Sequence, residues 1–154
     1  MCSGSRAGWS ASRPSTIARP TASCPACPAG PTAAPLLLLS RAAADDLSDR
    51  AAERTGEPIP IERFRANVVL TACAAHAEDG LDRVALGTAD LAFSKQAVRC
   101  AVVTVDQQTG ARVGPEPLET LATYRLTDKG VVFGAKYTVL EPGEVAVGDE
   151  LRVT

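Results

Sequence analysis

Short apolar segments separated by turn residues recur at spacings of roughly ten residues from Ile61 to the C-terminus. These segments cover residues 67–72, 84–86, 90–93, 100–105 and 131–140, and two further short stretches surround Gly148. Such spacing indicates a β-barrel or a β-sandwich, because alternating βαβ units would place a longer helical segment between successive strands. We therefore predict a β-rich (α+β) fold, with a hairpin across residues 87–89 and a break in the last long strand at Gly134.

One helix is predicted ahead of the β-rich region. Residues 36–39 form a short apolar run that we interpret as a buried strand, and Ser40 after it is a suitable helix N-cap. The helix covers residues 42–54, with acidic residues early and arginines late, an arrangement that the helix dipole favours. Gly56 is the expected stop signal. A later segment, residues 118–124, has helical or mixed character.

Residues 1–35 differ in composition from the remainder of the chain. They are rich in Ser, Ala, Pro and Arg, the first acidic residue is Asp45, and their prolines exclude a long helix. Such a segment cannot bury enough apolar surface to offset its chain entropy. We predict a disordered low-complexity leader over 1–35 and one domain over 36–154. Cys24 and Cys27 have the spacing of a redox or zinc motif, but neither the flanking elements nor a second ligand pair accompanies them, so an unselected leader is the simpler interpretation.

The charge and the cysteine content limit the classes of partner and compartment. The formal net charge is -2 and the isoelectric point is about 5.4, which gives no electrostatic case for binding nucleic acid or a membrane surface. No apolar run approaches the roughly 18 residues that a membrane-spanning helix needs. The 5 cysteines, an odd number at irregular spacings, do not resemble a disulfide framework. We therefore expect no nucleic-acid or membrane partner, and a reducing, cytoplasmic location.

Cys100 is the strongest candidate for chemistry that the residues themselves indicate. It opens the β-branched run 100–105, which we interpret as a buried strand, and residues 106–110 form a polar reversal after it. The adjacent Arg99 carries a fixed positive charge, which favours the thiolate form that attacks electrophiles or binds metals. A buried cysteine that only packs in the core is the alternative at this position.

Other polar or reactive residues have simpler interpretations. Cys73 ends an apolar strand and has no charged neighbour, so we expect it to pack in the core. His76 is the only histidine; it could act as an acid or a base, but an exposed position in a loop is the simpler expectation. Glu78 and Asp79 are expected to pair with a basic side chain and so hold their loop in place.

Several motifs, taken in order along the chain, resemble those of the MOSC domain. They are FRANVV at 64–69, AEDG at 77–80, LG at 86–87, RC at 99–100, TVD at 104–106, TG at 109–110, EPLETL at 116–121, FG at 133–134 and PGEVAVGD at 142–149. The family often has a proline in place of Ala66 and a further cysteine in place of Ala97. The second cysteine of that motif is retained as Cys100.

The resemblance implies a barrel-like domain that binds the molybdopterin form of the molybdenum cofactor. Such domains form the C-terminal part of molybdenum cofactor sulfurases and the catalytic part of the mitochondrial amidoxime-reducing component. In the second branch the matching cysteine is the protein ligand to molybdenum, which makes Cys100 the implied catalytic residue and metal ligand. A soft thiolate suits a metal that the pterin sulfur atoms already hold. Other residues match positions near the cofactor, although the last two could equally close a turn: Arg65, Asn67, Arg99, Thr104 and Asp106.

Three functions are alternatives under this resemblance. The first is reduction of a small N-hydroxylated or N-oxygenated compound, with electrons supplied in trans by a ferredoxin- or cytochrome-type reductase. The second is a sulfur carrier of the sulfurase type, with a persulfide on Cys100; that branch has a pyridoxal-phosphate-dependent domain upstream. The third is a truncated, non-catalytic fragment, because family members usually carry a whole N-terminal barrel domain before the point that matches Leu36. On that ground we expect an incomplete barrel.

Overall fold

The structure, a computed structural model, describes residues 15–17 and 36–154 of the chain. Ser15–Ile17 forms a short strand, β1, that pairs antiparallel with Gly143–Val145. The other residues of the predicted disordered leader, and the Cys24 and Cys27 motif with them, lie outside the described residues. For those residues the leader stays a prediction.

The described elements comprise one long helix, one short helix and a series of strands. The helices are α1 (Arg41–Thr55) and α2 (Leu118–Ala122), and 3-10 turns cover Ile61–Phe64, Ala77–Gly80 and Ala101–Thr104. The strands after β1 are β2 (Leu36–Ser40), β3 (Val68–Leu70), β4 (Arg83–Leu86), β5 (Ala89–Val98), β6 (Leu126–Thr127), β7 (Gly130–Glu141), β8 (Gly143–Val145) and β9 (Leu151–Val153). Over the described ranges the chain is therefore β-rich, with its main helix where the sequence predicts it.

Most of the strands form one curled sheet with the order β3-β2-β7-β5-β4-β9, and β6 pairs with the start of β7. β2 and β3 run parallel, whereas the other neighbours in this order run antiparallel. The crossover from β2 to β3 contains α1, the kind of connection that a parallel pair requires. The sheet curls into a half-barrel, so the prediction of an incomplete barrel is confirmed.

α1 begins and ends at the residues that the sequence indicates. Ser40 occupies the N-cap position in an extended conformation. Gly56 ends the helix with a φ of 79°, and its amide donates to the Ala52 carbonyl at 2.8 Å. The Ser40 hydroxyl makes no cap bond to the helix; it accepts a hydrogen bond from the His76 amide at 2.9 Å. That bond ties the start of α1 to a loop far along the chain.

The β4–β5 hairpin forms where the sequence predicts a turn. Leu86 pairs with Ala89, so residues 87–88 make the turn. β5 continues beyond Phe93, the predicted end of the second hairpin strand, and reaches Val98. Its whole length from Asp90 onward pairs with β7, which makes this pair the centre of the sheet.

β7 is one continuous strand, so the predicted break at Gly134 is wrong. Gln96 of β5 pairs with Ala135, and Val98 of β5 pairs with Val132. Two residues of β7 therefore oppose the single residue between Gln96 and Val98, which is the geometry of a β-bulge. Gly134 lies in this bulge with a φ of 77°. The strand bends there but keeps its pairing on both sides.

The core consists of two apolar clusters. Because neighbouring residues of a strand point to opposite faces, Leu38 belongs to one cluster and Leu39 to the other. The first cluster is built from strand residues, including Leu91 and Tyr137. The second joins α1 and α2 to the sheet and includes Leu47, Phe64, Val103, Leu121 and Phe133. Within the described ranges, no helix has both the length and the apolar character needed to cross a membrane.

Candidate functional site

Cys100 lies at the corner where the chain leaves β5. β5 ends at Val98, and Cys100 occupies the N-cap position of the 3-10 turn Ala101–Thr104. The prediction of a buried strand over 100–105 is therefore wrong. The Cys100 side chain is exposed and forms no disulfide with any described residue, so the alternative of a packed core cysteine is also wrong. A thiol in this position is accessible to a cofactor or a reagent.

Arg99 joins this corner to two other parts of the chain. Its Nε atom donates to the Phe133 carbonyl at 2.8 Å, and its Nη1 atom donates to the Phe64 carbonyl at 3.3 Å. The guanidinium carbon lies 5.6 Å from the centroid of the Phe64 ring. Burial lowers the pKa of Arg99 to about 10, and the neighbouring Cys100 opposes this shift. With such a pKa the guanidinium stays charged at neutral pH, so a positive charge is held inside the corner.

One nitrogen of the Arg99 guanidinium remains available. Nη2 is buried and has no hydrogen-bond partner among the residues that the structure describes. A buried donor of this kind costs free energy until an acceptor reaches it. An anionic group of a ligand would satisfy it best, because charge-assisted hydrogen bonds are the strong ones. The corner therefore combines an exposed thiol with an adjacent donor for an anion.

Gly134 lies beside the Arg99 guanidinium and allows the Leu38 carbonyl to approach β7 closely. A Cβ atom at this position would lie 2.8 Å from the Leu38 carbonyl oxygen and 3.4 Å from Arg99 Nη2. The φ of 77° is also one that side chains disfavour, so both space and conformation require glycine. Reasoning from the sequence missed this requirement for glycine and placed a break in the strand here. The FG pair at 133–134 in the family motif was the signal that could have revealed it.

Arg65 and Asn67 lie on the segment that Arg99 holds through the Phe64 carbonyl. Phe64 is buried and Arg65 is exposed, so the two adjacent side chains lie in different environments. Asn67 has its side chain in use: its Oδ1 accepts a hydrogen bond from the Leu37 amide at 2.8 Å. The backbone amide of Asn67 donates to the Leu37 carbonyl at 2.9 Å. Asn67 therefore connects the start of β3 to β2 through hydrogen bonds. The Arg65 side chain, with its positive charge, is exposed to solvent.

Thr104 and Asp106 serve the local backbone. The buried Thr104 hydroxyl donates to the Ala101 carbonyl at 2.7 Å. Asp106 Oδ1 accepts hydrogen bonds from the Gln108 amide at 3.0 Å and from the Thr109 amide at 2.7 Å, which closes the predicted reversal. The hydrogen bonds from Thr109 and Gln108 lower the pKa of Asp106. These contacts match the alternative that the sequence leaves open, in which the two residues close a turn.

The loop around the 3-10 turn Ala77–Gly80 contains a second group of polar side chains. Asp79 forms an ion pair with Arg125, as expected, and also accepts a hydrogen bond from Gln96 at 3.1 Å. Glu78 behaves differently from the expectation of a shared ion pair. Its side chain is 0% exposed, and neither carboxylate oxygen has a hydrogen-bond partner in the described part of the chain. Nothing in the local sequence distinguishes these two adjacent acids.

His76 and Cys73 flank this loop. His76 is half-buried, so the expectation of an exposed histidine is wrong; its ring and the Phe133 ring form a T-shaped contact with a centroid distance of 5.8 Å. Burial lowers the pKa of His76, and the charge of Arg125 adds to that effect. Cys73 is half-buried and packs against the strand cluster of the core, as expected.

The corner at Cys100 could supply one ligand to a metal ion whose other ligands belong to a bound cofactor. Over residues 15–17 and 36–154, no group of three or more His, Cys, Asp and Glu side chains could hold a metal ion. One exposed thiol supplies one ligand, so the other ligands would have to belong to a bound group. The buried Nη2 of Arg99 is a donor for a negatively charged part of that group. The residues present are therefore compatible with such a cofactor.

Comparisons with known proteins identify a family and several relatives. The family model described as the MOSC domain matches residues 28–152. The chain is 37% identical over 125 residues to the mitochondrial amidoxime-reducing component 1 of Mus musculus, a match that covers 76% of this chain and 36% of that protein. It is 36% identical over 127 residues to the mitochondrial amidoxime reducing component 2 of Bos taurus, covering 77% and 37%. The chain thus spans little more than a third of the length of these curated relatives.

A solved structure supports the fold. The crystal structure of YiiM from Geobacillus stearothermophilus superposes on this chain with a TM-score of 0.54. The alignment covers 77% of this chain and 53% of YiiM at 20% sequence identity. At this identity the likeness concerns the arrangement of the strands and helices alone.

Proposed function

The chain belongs to the MOSC domain family, and on that premise we propose that it binds a molybdenum cofactor at the corner formed by Arg99 and Cys100. The observation that carries the proposal is the exposed Cys100 thiol beside a buried guanidinium whose Nη2 donates to no group in the described ranges. A thiolate is a suitable soft ligand for a metal already held by sulfur atoms. The curated relatives named as amidoxime-reducing components support an oxidoreductase association.

In this proposal each residue of the corner has a separate role in binding the cofactor. Cys100 supplies the thiolate ligand, and Arg99 Nη2 donates to an anionic oxygen of the cofactor. The other two guanidinium nitrogens stay bound to the Phe133 and Phe64 carbonyls, which prevents the side chain from turning away. Arg65 adds a second positive charge from the neighbouring segment. The remaining candidates act through the backbone that they hold: Asn67, Thr104 and Asp106.

For the whole protein we propose the reduction of a small N-hydroxylated or otherwise N-oxygenated compound. When bound, the cofactor would supply the two-electron chemistry that reduces the N–O bond, and the oxygen atom would leave as water after two protons are taken up from solvent. The electrons come from a separate donor protein of the ferredoxin or cytochrome type. The substrate class rests on the names of relatives, of which this chain spans little more than a third. The cytoplasmic location stays a prediction.

Metal analysis of the purified chain tests the cofactor site directly. The chain is expressed in cells that make the molybdenum cofactor, and the molybdenum content is measured by mass spectrometry with plasma ionisation. We expect near-stoichiometric molybdenum in the wild type and a background level in Cys100→Ser, because an alcohol is a poor substitute for a thiolate ligand. Cys73→Ser is the matched control: it makes the same change at the half-buried cysteine of the core and should retain the metal.

Two results would contradict the assignment of Cys100 as the metal ligand. The first is a Cys100→Ser variant that retains as much molybdenum as the wild type. The second is a wild-type chain that holds no molybdenum but carries a persulfide on Cys100, as detected by mass spectrometry of the labelled peptide. The second result would support the sulfur-carrier function in its place.

A further inference from the structure

Glu78 is a fully enclosed carboxyl group. Its side chain is 0% exposed, and its two carboxylate oxygens have no hydrogen-bond partner among the described residues. The Ser40 amide and hydroxyl and the Glu78 backbone amide face this carboxyl and oppose the effect of burial on its pKa, but burial outweighs them and none meets the geometry of a hydrogen bond. An ionised carboxylate is strongly disfavoured in such surroundings, so a buried carboxyl normally takes its neutral form.

The charged groups around Glu78 do not offset this burial. Burial raises the pKa of Glu78, and the negative charge of Asp79 on the same loop acts in the same direction. Arg125 is already paired with Asp79. The Tyr137 hydroxyl of β7 donates to the Glu78 and Leu81 backbone carbonyls and not to the Glu78 carboxyl group. The other charged groups nearby influence the pKa values of neighbouring residues. Asp46 and Arg50 of α1 affect the pKa of His76, and Asp82, which follows the loop, affects the pKa of Tyr137.

The loop from His76 to Gly80 holds three other elements together. The His76 amide donates to the N-cap hydroxyl at the start of α1 at 2.9 Å. The Tyr137 hydroxyl of β7 has one hydrogen, which it shares between the Glu78 carbonyl at 2.8 Å and the Leu81 carbonyl at 2.7 Å. Asp79 accepts a hydrogen bond from Gln96 of β5 at 3.1 Å. A change in this loop would therefore be transmitted to the sheet and to the main helix.

We propose that the 76–80 loop is a proton-operated latch, which holds α1, β5 and β7 together while Glu78 is neutral and opens when Glu78 ionises. Both carboxylate oxygens are enclosed, so water can solvate the charge only if the loop moves. The proton passes to solvent as the loop opens. Loss of the proton and opening of the loop are therefore linked in one equilibrium.

The direction of the pH dependence follows from this linkage. An unfolded chain ionises Glu78 near its ordinary pKa of 4.5, whereas the folded loop retains the proton to higher pH. Stability therefore falls as the pH rises from that value through the folded pKa, and is constant above it. His76 has the opposite sign: burial lowers its pKa from 6.5, so its contribution is present above 6.5 and is lost as the pH falls through the folded pKa. A change at Glu78 alone separates the two effects.

The test compares the full chain with its Glu78→Gln variant, which keeps the shape of the side chain but does not ionise. Urea unfolding of both proteins is measured from pH ~4.5 to ~8. Between pH 4.5 and the folded pKa of Glu78, we expect the folding equilibrium constant of the wild type to fall relative to that of E78Q by up to about tenfold per pH unit. Glu57→Gln, the same change at an exposed carboxylate, is the matched control and should follow the wild type. Parallel pH profiles of the wild type and E78Q would overturn the proposal.

Hydrogen exchange of the unmodified chain keeps the proposal testable if E78Q does not fold. The exchange rates of the loop amides are corrected for the intrinsic effect of pH. We expect the protection of the His76 and Asp79 amides to fall as the pH rises, while the centre of α1 keeps its protection. Constant protection of the loop over the same pH range would overturn the latch.

Discussion

Replacing Arg99 with methionine tests whether the guanidinium holds the corner at Cys100. Methionine has a flexible apolar side chain and no donor, so the Phe133 and Phe64 carbonyls both lose their partner. These carbonyls belong to residues that are 0% and 2% exposed. Leaving one buried carbonyl without a donor costs about 1–3 kcal/mol.

Removal of the charge offsets part of this loss. Burial lowers the pKa of Arg99 to about 10, so the folded corner disfavours the charged group, and an apolar side chain avoids that cost. We therefore expect Arg99→Met to lower the free energy of unfolding by about 1–3 kcal/mol. Arg99→Lys should fall between the wild type and R99M, because an ammonium group keeps the charge but cannot reach two carbonyls as a planar fork does.

Urea denaturation of the full chain at neutral pH, followed by far-ultraviolet circular dichroism, measures these differences. Arg112→Met is the matched control, since Arg112 is exposed, and its free energy of unfolding should lie within about 0.5 kcal/mol of the wild type. If R99M were no less stable than R112M, the reasoning that two carbonyl contacts hold the corner would be refuted.

Two further substitutions test the packing around the site and the support of α2. Gly134→Ala should cost about 1–3 kcal/mol, because the left-handed conformation and the Leu38 carbonyl both exclude a Cβ atom; a variant as stable as the wild type in urea would contradict this. Glu116 accepts hydrogen bonds from Arg54 at 3.0 Å and from the Thr120 amide at 3.2 Å. Burial raises the pKa of its carboxyl, but these hydrogen bonds outweigh burial and the net pKa is lowered, so its stabilisation is complete above 4.5 and is lost as the pH falls through the folded pKa. We expect Glu116→Gln to lower the free energy of unfolding by about 1–2 kcal/mol at neutral pH and to make that free energy less sensitive to acid. Thermal unfolding at neutral pH and at a pH below 4.5 measures both effects, and an acid sensitivity equal to that of the wild type would contradict the prediction.

The elements that the sequence predicts correctly are those whose signals lie within a few residues. Gly56 ends α1 in a left-handed conformation, and its amide donates to the Ala52 carbonyl four residues earlier. Asp106 closes its turn with the amides of residues two and three positions later. Such contacts depend on the local sequence and little else, so they can be predicted from it. The order of the MOSC motifs is informative for a related reason, because it is itself a property of the linear sequence.

The segment after Arg99 shows where local signals fail. Val102, Val103, Thr104 and Val105 are β-branched, a composition that favours a strand. The chain instead leaves the sheet after Val98, where the Arg99 side chain bonds to carbonyl groups 34 and 35 residues away in the sequence. A 3-10 turn follows, and it leaves Cys100 exposed. Tertiary contacts therefore override the strand propensity of this segment.

The β-rich class, the position of α1, the hairpin and the family can all be predicted from the order of the residues. The exposure or burial of each reactive group depends on the folded chain. Adjacent acids illustrate this: Asp79 pairs with Arg125, whereas the Glu78 side chain is fully buried and its backbone carbonyl accepts a hydrogen bond from Tyr137, 59 residues away. Burial and hydrogen-bond partners arise between segments that are distant in sequence, so neighbouring residues along the chain do not encode them.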